Sequence, residues 1–446
     1  MFERTVIEEL KNWALKPDRK PLILRGARQS GKTTVVDLFA RQFSQYIVLN
    51  LDVKQDRQLF ERGYTIHELT DAIFLYKNAE RKNEKTMIFI DEIQNSPEAV
   101  AMLRYFYEQE KSLYVIAAGS LLESLMIKNI SFPVGRVEYM SVRPCSFPEF
   151  VLALGEEKSY DHLNELPFPE YAHEKLLKLF NTFTYIGGMP EVVQNYSKNR
   201  TITALNPIYE GLIASYLDDV EKYARNETLK NVIRHTIQHS FFSAGTRIRF
   251  QGFGNSPYKN REMSEAFKTL EKAFFLQLVY PVTVCSAPLQ PNIRRSPKLQ
   301  MVDTGMVNFA ANLQNEIFGV NDLCDTYKGK IAEHITGQEL LALQRSVLFK
   351  LNYWSREEKN ATSEVDFIVQ YKGLIIPVEI KSGASGRLRS LHQFVDRSPH
   401  PYAIRIYSGK LSINKHNTIK GTPYKLLNLP FYLINKINEY IMYMID

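Results

Sequence analysis

Between residues 21 and 150, short apolar runs alternate with stretches of helical spacing. The runs read PLILR, QYIVLNLD, TMIFIDE, LYVIAAGS and VEYMSV, each four to eight residues long and closed by polar turns. Runs of this kind belong to strands covered on both faces, so the pattern predicts a parallel sheet with helices on either side. From about 156 to 225 the spacing is helical and rich in Leu, Tyr and Glu, broken by a Gly-Gly-Met-Pro turn at 187–190. Over 226–310, Leu229, Val232, Ile233 and Ile237 mark one amphipathic helix, and Met263, Ala266, Phe267, Leu270 and Phe274 mark a second. The extended runs LQLVYPVTV and KLQMVDT follow, joined by the basic link NIRRSPK. Helix, helix and two-stranded ribbon is the outline of a winged helix. From 320 to 446 the helix GKIAEHITGQELLAL precedes strands LFKLNYW, EVDFIVQY and LIIPVEIKS and a mixed tail.

Composition refines this picture. A chain of 446 residues, 44% hydrophobic and 24% charged, has the make-up of a globular protein with more than one core. The net charge of +7 favours polyanionic partners such as nucleic acid. Cys145, Cys285 and Cys324 lie far apart without a C-x-x-C, which argues against zinc or a disulfide framework and fits a reducing compartment. The N-terminal stretch MFERTVIEELKNW reads as an amphipathic helix rather than a signal peptide. No apolar stretch reaches the ~18 residues of a transmembrane helix, and the final stretch LPFYLINKINEYIMYMI reads as a core helix.

Residues Gly26, Ala27, Arg28, Gln29, Ser30, Gly31, Lys32 and Thr33 match G-x-x-x-x-G-K-[ST] in full, between an apolar strand at 22–24 and a helix at 34–43 that opens with Thr34. The glycines let backbone N–H groups wrap phosphates, and the helix N-terminus adds partial positive charge. Lys32 is expected to reach the β- and γ-phosphates of ATP, and Thr33 to hold Mg2+. The run ending in Asp91 and Glu92 supplies a second element, Asp91 for the magnesium shell and Glu92 to orient or deprotonate the attacking water. Ser120, at the end of the next run, is a candidate γ-phosphate sensor. Arg136, Arg143 and Arg28 are candidates to meet transition-state charge, in cis or on a neighbouring subunit.

The segment SEVDFIVQYKGLIIPVEIKSG carries other chemistry. A two-residue turn at Lys372 and Gly373 sets Asp366 opposite Glu379 and Glu364 opposite Lys381, all on one face. Facing carboxylates roughly 4.5–5.5 Å apart repel unless a cation lies between them. Asp366 and Glu379 are therefore expected to hold magnesium or manganese, with Lys381 polarising a nucleophile or countering charge. The competing reading is a surface hairpin with a Glu364–Lys381 salt bridge. In the winged-helix outline, Lys259, Arg261, Lys268 and Lys272 on the second helix, and Arg294, Arg295 and Lys298 on the wing, are expected to face phosphates.

The order Asp…Glu-x-Lys resembles the PD-(D/E)xK nuclease fold. That resemblance implies a glutamate on the preceding helix, Glu333 or, second, Glu339; Val365 stands where the family pattern has proline. The stretches LILRGARQSGKTT, MIFIDEIQ, AAGSLL, GRVEYMSVRPCSFPEF, YIGGMPEVV, PKLQMVDTG and EVDFIVQYKGLIIPVEIKSG together resemble prokaryotic P-loop ATPases of the AAA+ class with a C-terminal domain of unknown function. The fold class so expected is α/β: a P-loop NTPase parallel sheet over 1–155, a helical lid or linker over 156–225, a winged-helix-like segment over 226–315 and an α/β nuclease-like domain over 316–446. The resemblance implies a cytoplasmic ATPase that uses ATP and Mg2+. Nucleic acid is the expected partner, DNA favoured, with no membrane and a possible homo-oligomer. The alternative is a nucleotide-controlled switch that binds DNA or a protein without cleaving nucleic acid.

Overall fold

The computed structural model describes residues 2–81, 85–119, 133–220, 224, 226–314, 329–356, 363–381 and 388–446. The N-terminal sheet comprises β1 (Leu22–Arg25), β2 (Gln45–Asn50), β3 (Thr86–Asp91), β4 (Tyr114–Gly119) and β5 (Glu138–Ser141), all parallel in the order β2-β3-β4-β1-β5. Alternate residues enter different cores. Ile23, Ile88 and Ile90 pack on one face, and Leu22, Leu24, Met87 and Phe89 on the other. Burial on both sides is why these strands read as unbroken apolar runs. Around the sheet lie α1 (Val6–Ala14), α2 (Lys32–Ala40), α3 (Lys54–Glu61), α4 (Ile66–Tyr76) and α5 (Pro97–Gln109).

Helices α6 (Phe147–Ala153), α7 (Glu157–Leu163), α8 (His173–Ile186), α9 (Pro190–Asn199) and α10 (Asn206–Asp218) form the next stretch. Then come α11 (Glu227–Ser240), α12 (Asn260–Lys272), β6 (Leu276–Val282) and β7 (Lys298–Met301). Helix, helix and antiparallel ribbon thus follow in the expected order, but the ribbon is not free-standing. Strand β6 also pairs in parallel with β8 (Asn352–Ser355), which pairs with β9 (Glu364–Val365), giving a sheet ordered β7-β6-β8-β9. Lys298, expected on an exposed wing, is buried in β7.

After α13 (Thr304–Ala310) and α14 (Lys330–Ala342), the C-terminal sheet takes in β10 (Phe367–Tyr371), β11 (Leu374–Ile380), β12 (Tyr402–Tyr407), β13 (Ser412–Asn417) and β14 (Pro423–Pro430). Its order is β10-β11-β12-β14-β13, flanked by α15 (Arg389–Val395) and α16 (Ile437–Ile445). No helix among the described residues is long and apolar enough to cross a membrane.

A buried polar hub joins these parts. Asp303 accepts the N–H groups of Gly188 at 2.6 Å and Met306 at 3.0 Å. The Gly188 carbonyl accepts from the Cys145 N–H at 2.6 Å, just beyond Val142, whose own N–H bonds the Arg25 carbonyl at the end of β1. Any side chain at Gly187 would strike the Asp303 carboxylate, so only glycine fits there. From α14, Gln338 accepts from the Thr304 N–H at 2.7 Å, and His334 bonds the Met301 N–H at 3.0 Å. Glu339 accepts from the Phe147 N–H at 3.1 Å. It therefore belongs to this hub, at the start of α6, and does not join the carboxylates near Asp366. Helix α14 is buried almost all round, which explains its weak amphipathic pattern.

Burial pushes the Glu339 carboxyl up to about 8, against the opposing hydrogen bond from Phe147. Because the folded value lies above the ordinary 4.5, the folded chain holds a proton that the unfolded chain releases. Stability from this group is full below pH 4.5 and is lost as pH rises through about 8. Glu339→Gln keeps an acceptor for Phe147 and removes the titration. Its unfolding free energy should fall less steeply than wild type between pH 6 and pH 8, by about 1.4 kcal/mol per pH unit, in urea titrations.

Candidate nucleotide site and C-terminal carboxylate cluster

The nucleotide-binding loop leaves β1 and turns into α2 through Gly31, held at φ 88°. A Cβ at Gly26 would run into the Val142 carbonyl oxygen, and one at Gly31 would lie 3.3 Å from the Arg4 guanidinium and 3.4 Å from Pro190. Gly26 is thus required by close approach and Gly31 by its positive φ. Arg4, from the N-terminal segment, donates to the carbonyls of Ser30 at 3.4 Å and Arg143 at 2.7 Å and pairs with Glu149. Arg4 braces the loop from outside.

Within the loop, the Lys32 amine donates to the carbonyls of Gly26 at 3.1 Å and Ala27 at 2.9 Å. Burial lowers it to about 8, against the opposing pull of Glu92 and Asp91. The Thr33 hydroxyl donates to the Asp91 carboxylate at 2.8 Å. The two groups expected around magnesium therefore already meet. A hydroxyl beside a carboxylate at a helix N-terminus is an oxygen-donor set suited to that ion. The cleft over this loop has a volume of about 390 Å³. Gln29, Thr33 and Thr34 line it from the loop, Asp91 and Glu92 from β3, and Pro190, Glu191 and Gln194 from α9. The Gly-Gly turn accordingly seats α9 as the opposite wall.

Glu92 adopts a left-handed conformation with φ 51° and ψ 42°, unusual for a side chain of its size. Its carboxylate accepts a hydrogen bond from the Gln94 side-chain amide. Gln94 also abuts Gly119, where any Cβ would strike it. Since β4 lies between β1 and β3, the end of β4 falls between the loop and the Asp91–Glu92 pair. Ser120, the expected sensor, lies outside the described residues.

None of the candidate arginines points freely into the cleft to meet a γ-phosphate. Arg136 precedes β5 at the end where Glu138 pairs with Leu22, so it sits at the far end of the sheet from the loop. There it bonds Glu108 at 2.8 Å and is exposed. A role in cis is excluded by strand direction. Arg143 stacks on Phe274 at 4.8 Å, and burial lowers it to about 10. Arg28 lies beside the cleft and pairs with Asp219 at the end of α10, while the Tyr216 hydroxyl donates to the Arg28 carbonyl at 3.1 Å. Arg4, Gln94, Glu191 and Asp219 escaped the sequence reading, although Arg4, Gln94 and Glu191 fall within stretches already singled out, MFERTVIEELKNW, MIFIDEIQ and YIGGMPEVV.

At the C-terminal cluster the hairpin register is the expected one, Tyr371 facing Leu374 and Phe367 facing Val378. Continuing it sets Asp366 against Glu379, and the Asp366 carboxylate accepts the Ile380 N–H at 2.8 Å. Glu364 does not face Lys381, because the strand leaves this ladder at Asp366 and pairs Glu364 with Ser355 of β8. Glu364 pairs instead with Arg247 and, at 2.7 Å, with Lys298. The Lys298 amine also lies 3.0 Å from Glu333 and 3.8 Å from Asp366. Lys381 pairs with Glu379 at 2.9 Å. Burial and the Asp366 charge raise Glu333 and Glu379 above the ordinary carboxylate range. Among the described residues no group of carboxylates, histidines or cysteines is arranged to hold a metal ion. The expected ligands Asp366 and Glu379 do converge, and the Lys298 amine stands beside them, nearer to Glu364 and Glu333.

Fold and loop define a class: the N-terminal unit has the parallel sheet and phosphate-binding loop of the P-loop NTPase fold. Residues 18–151 match a family model described as an AAA domain. Residues 177–317 and 328–427 match two further models, each described as a domain of unknown function. No curated protein matches the chain. Among solved structures it is similar to the Walker-type ATPase PABY2304 of Pyrococcus abyssi, at 16% identity over 70% of this chain and 96% of that one, TM-score 0.44. It is also similar to the RuvB Holliday junction branch migration motor of Thermotoga maritima (15% identity, 62% and 90% covered, TM-score 0.28). A third is the Aeropyrum pernix ORC1 protein in complex with DNA (12% identity, 69% and 90% covered, TM-score 0.27). Likenesses this low say nothing of activity or partners.

With burial lowering the Lys32 amine to about 8, binding of phosphates by its ammonium form would require proton uptake above that pH. The dissociation constant for ATP should rise by up to about tenfold per pH unit above pH 8, and stay level between pH 6 and pH 7.5, in fluorescent-nucleotide titrations.

Proposed function

We propose that the chain binds ATP with magnesium at residues 26–34, hydrolyses it, and couples turnover to action on nucleic acid. The observation that carries the first part is the contact of Thr33 with Asp91 beside Lys32, at the mouth of a cleft large enough for a nucleotide. Phosphates would take the place of the two carbonyls that Lys32 now contacts. Thr33 and Asp91 would hold magnesium, which when bound neutralises charge on the β- and γ-phosphates. Glu92 takes the proton of the attacking water as its oxygen bonds the γ-phosphorus and the bond to the bridging oxygen breaks, leaving ADP and phosphate. Gln94 holds Glu92 back in the present arrangement and must release it for that step. The loop residues Gly26, Ala27, Arg28, Gln29, Ser30 and Gly31 position the phosphates through backbone N–H groups, and Thr34 lies at the same helix start. Among the described residues the arginines that line the cleft, Arg4 and Arg28, are engaged by Glu149 and Asp219, which favours a neighbouring subunit as the source of a transition-state arginine and hence a homo-oligomer.

The nucleic-acid part is supported by exposed Lys259, Arg261, Lys268 and Lys272 along α12 and Arg294 in the β6–β7 connection, on a chain of net charge +7. Whether Glu333, Asp366, Glu379 and Lys381 cut a phosphodiester is a separate question. The Lys298 amine among those carboxylates favours the second reading, a nucleotide-controlled switch whose C-terminal fold binds without cutting.

Lys32→Ala should abolish nucleotide binding, and Glu92→Gln should keep binding while turnover drops by at least about a hundredfold, measured as phosphate release. Undiminished turnover in Glu92→Gln would assign the base elsewhere. Cleavage of single- and double-stranded DNA and RNA with magnesium or manganese, compared between wild type and Asp366→Ala, tests the C-terminal cluster. On the switch reading both proteins leave the substrates intact.

A further inference from the structure

Four carboxylates, Glu333, Glu364, Asp366 and Glu379, converge from α14, β9, the seam after it and β11. Three cations answer them, Lys298, Lys381 and Arg247. Only Lys298 reaches inside, with Glu364, Glu333 and Asp366 at 2.7, 3.0 and 3.8 Å. Its stem is buried in β7 and its amine lies 5.2 Å from the Tyr353 ring, whose face Arg247 also approaches at 5.1 Å. Lys381 stays at the rim, a third exposed.

One oxygen in this box is left over. Glu379 is 3% exposed; Lys381 takes its Oε1, while its Oε2 is buried with no hydrogen-bond partner. A buried carboxylate oxygen without a partner is costly and marks a place where a cation or a donor is missing. Asp366, across the ladder, has its Oδ1 at only long range from Lys298. Lys298 thus sits on the Glu333–Glu364 side of the box, and the Asp366–Glu379 side has only the rim amine of Lys381 within ion-pair distance of Glu379.

We propose that Lys298 is the resident cation of this box, and that the box admits a divalent ion between Asp366, Glu379 and Glu333 only when the Lys298 amine withdraws. The inference deepens the reading of the C-terminal cluster given above and rests on it. The Lys298 ammonium is enclosed by the Glu364, Glu333 and Asp366 carboxylates. A fixed positive charge a few ångströms away repels an incoming divalent ion, and its amine occupies the Glu333 oxygen the ion needs. The strand that carries Lys298 is tied to both the helix behind the box and the turn at the cleft. Gln300 and Met301 on that strand bond His334 of α14, and Asp303 just after it holds the Gly188 turn against the nucleotide cleft.

The test is calorimetric titration of Mn2+ into the nucleotide-free full chain carrying Asp91→Asn, which silences the ligand beside the loop. The parent should show no binding at the C-terminal box. Adding Lys298→Met should produce one site at least tenfold tighter than any parent signal, and adding Asp366→Asn on top should erase it. Equal titrations of parent and Lys298→Met, with matching circular dichroism, would overturn the inference. If Lys298→Met does not fold, Glu364→Gln takes its place. That change removes the amine's 2.7 Å anchor and leaves Glu333, Asp366 and Glu379. A tenfold gain there supports the gate, and parity with the parent refutes it. Binding gained without cleavage of DNA or RNA upholds the gate and discards cleavage, so the two ideas fail separately.

Discussion

The Asp303 carboxylate is the contact on which the rest of the architecture depends. It accepts N–H groups from the Gly188 turn and from the start of α13, fully buried. Burial raises its carboxyl to about 6, held there against the opposing hydrogen bonds from Gly188, Met306 and Gly305 and from Gln338. The turn it fixes sets α9 against the loop at Gly31, and the Gly188 carbonyl ties back through Cys145 to the end of β1. One buried anion thus aligns both walls of the nucleotide cleft. An unpaired loss here would release several donors at once, a larger cost than any single surface contact.

The same hub explains how two chemically unlike sites come to share a frame. Helix α14 presents Glu333 to the carboxylate box, and His334, Gln338 and Glu339 to the hub. Strand β7 does likewise, with Lys298 reaching Glu333 and Gln300, two residues on along the same face, reaching His334. A displacement of either element moves both places together. That is a physical basis for coupling which does not require a chain of relayed contacts.

Much of this was legible in the chain itself, for local reasons. The N-terminal strands could be read because burial on both faces leaves unbroken apolar runs. The loop could be read because its glycines answer steric limits at fixed spacing. The Asp366–Glu379 pairing could be read because Lys372 and Gly373, both at positive φ, close a two-residue turn that fixes every later pair. What failed was non-local. Glu364 left its ladder for β8, a partner that alternation cannot foresee. Arg136 is close in sequence to the loop strand's neighbour, yet parallel direction carries it to the wrong end. Lys298 read as a basic wing residue because nothing near it shows that β6 continues into a sheet with β8.

In the hairpin the facing carboxylates lie near the amines of Lys298 and Lys381. Facing carboxylates did need a cation, as repulsion at that distance requires. A metal is one source, but a lysine from a strand paired elsewhere is another, and sequence spacing cannot tell them apart. The two differ in consequence. A metal ion offers open coordination positions to a phosphate or a water, whereas an ammonium gives only hydrogens and holds its carboxylates without activating anything. With Lys298 in place the box is a structural clasp between α14, β7 and β9. The unpartnered Glu379 oxygen shows that the clasp does not satisfy the whole box, and that remaining imbalance is what would draw in a divalent ion once the amine moves away.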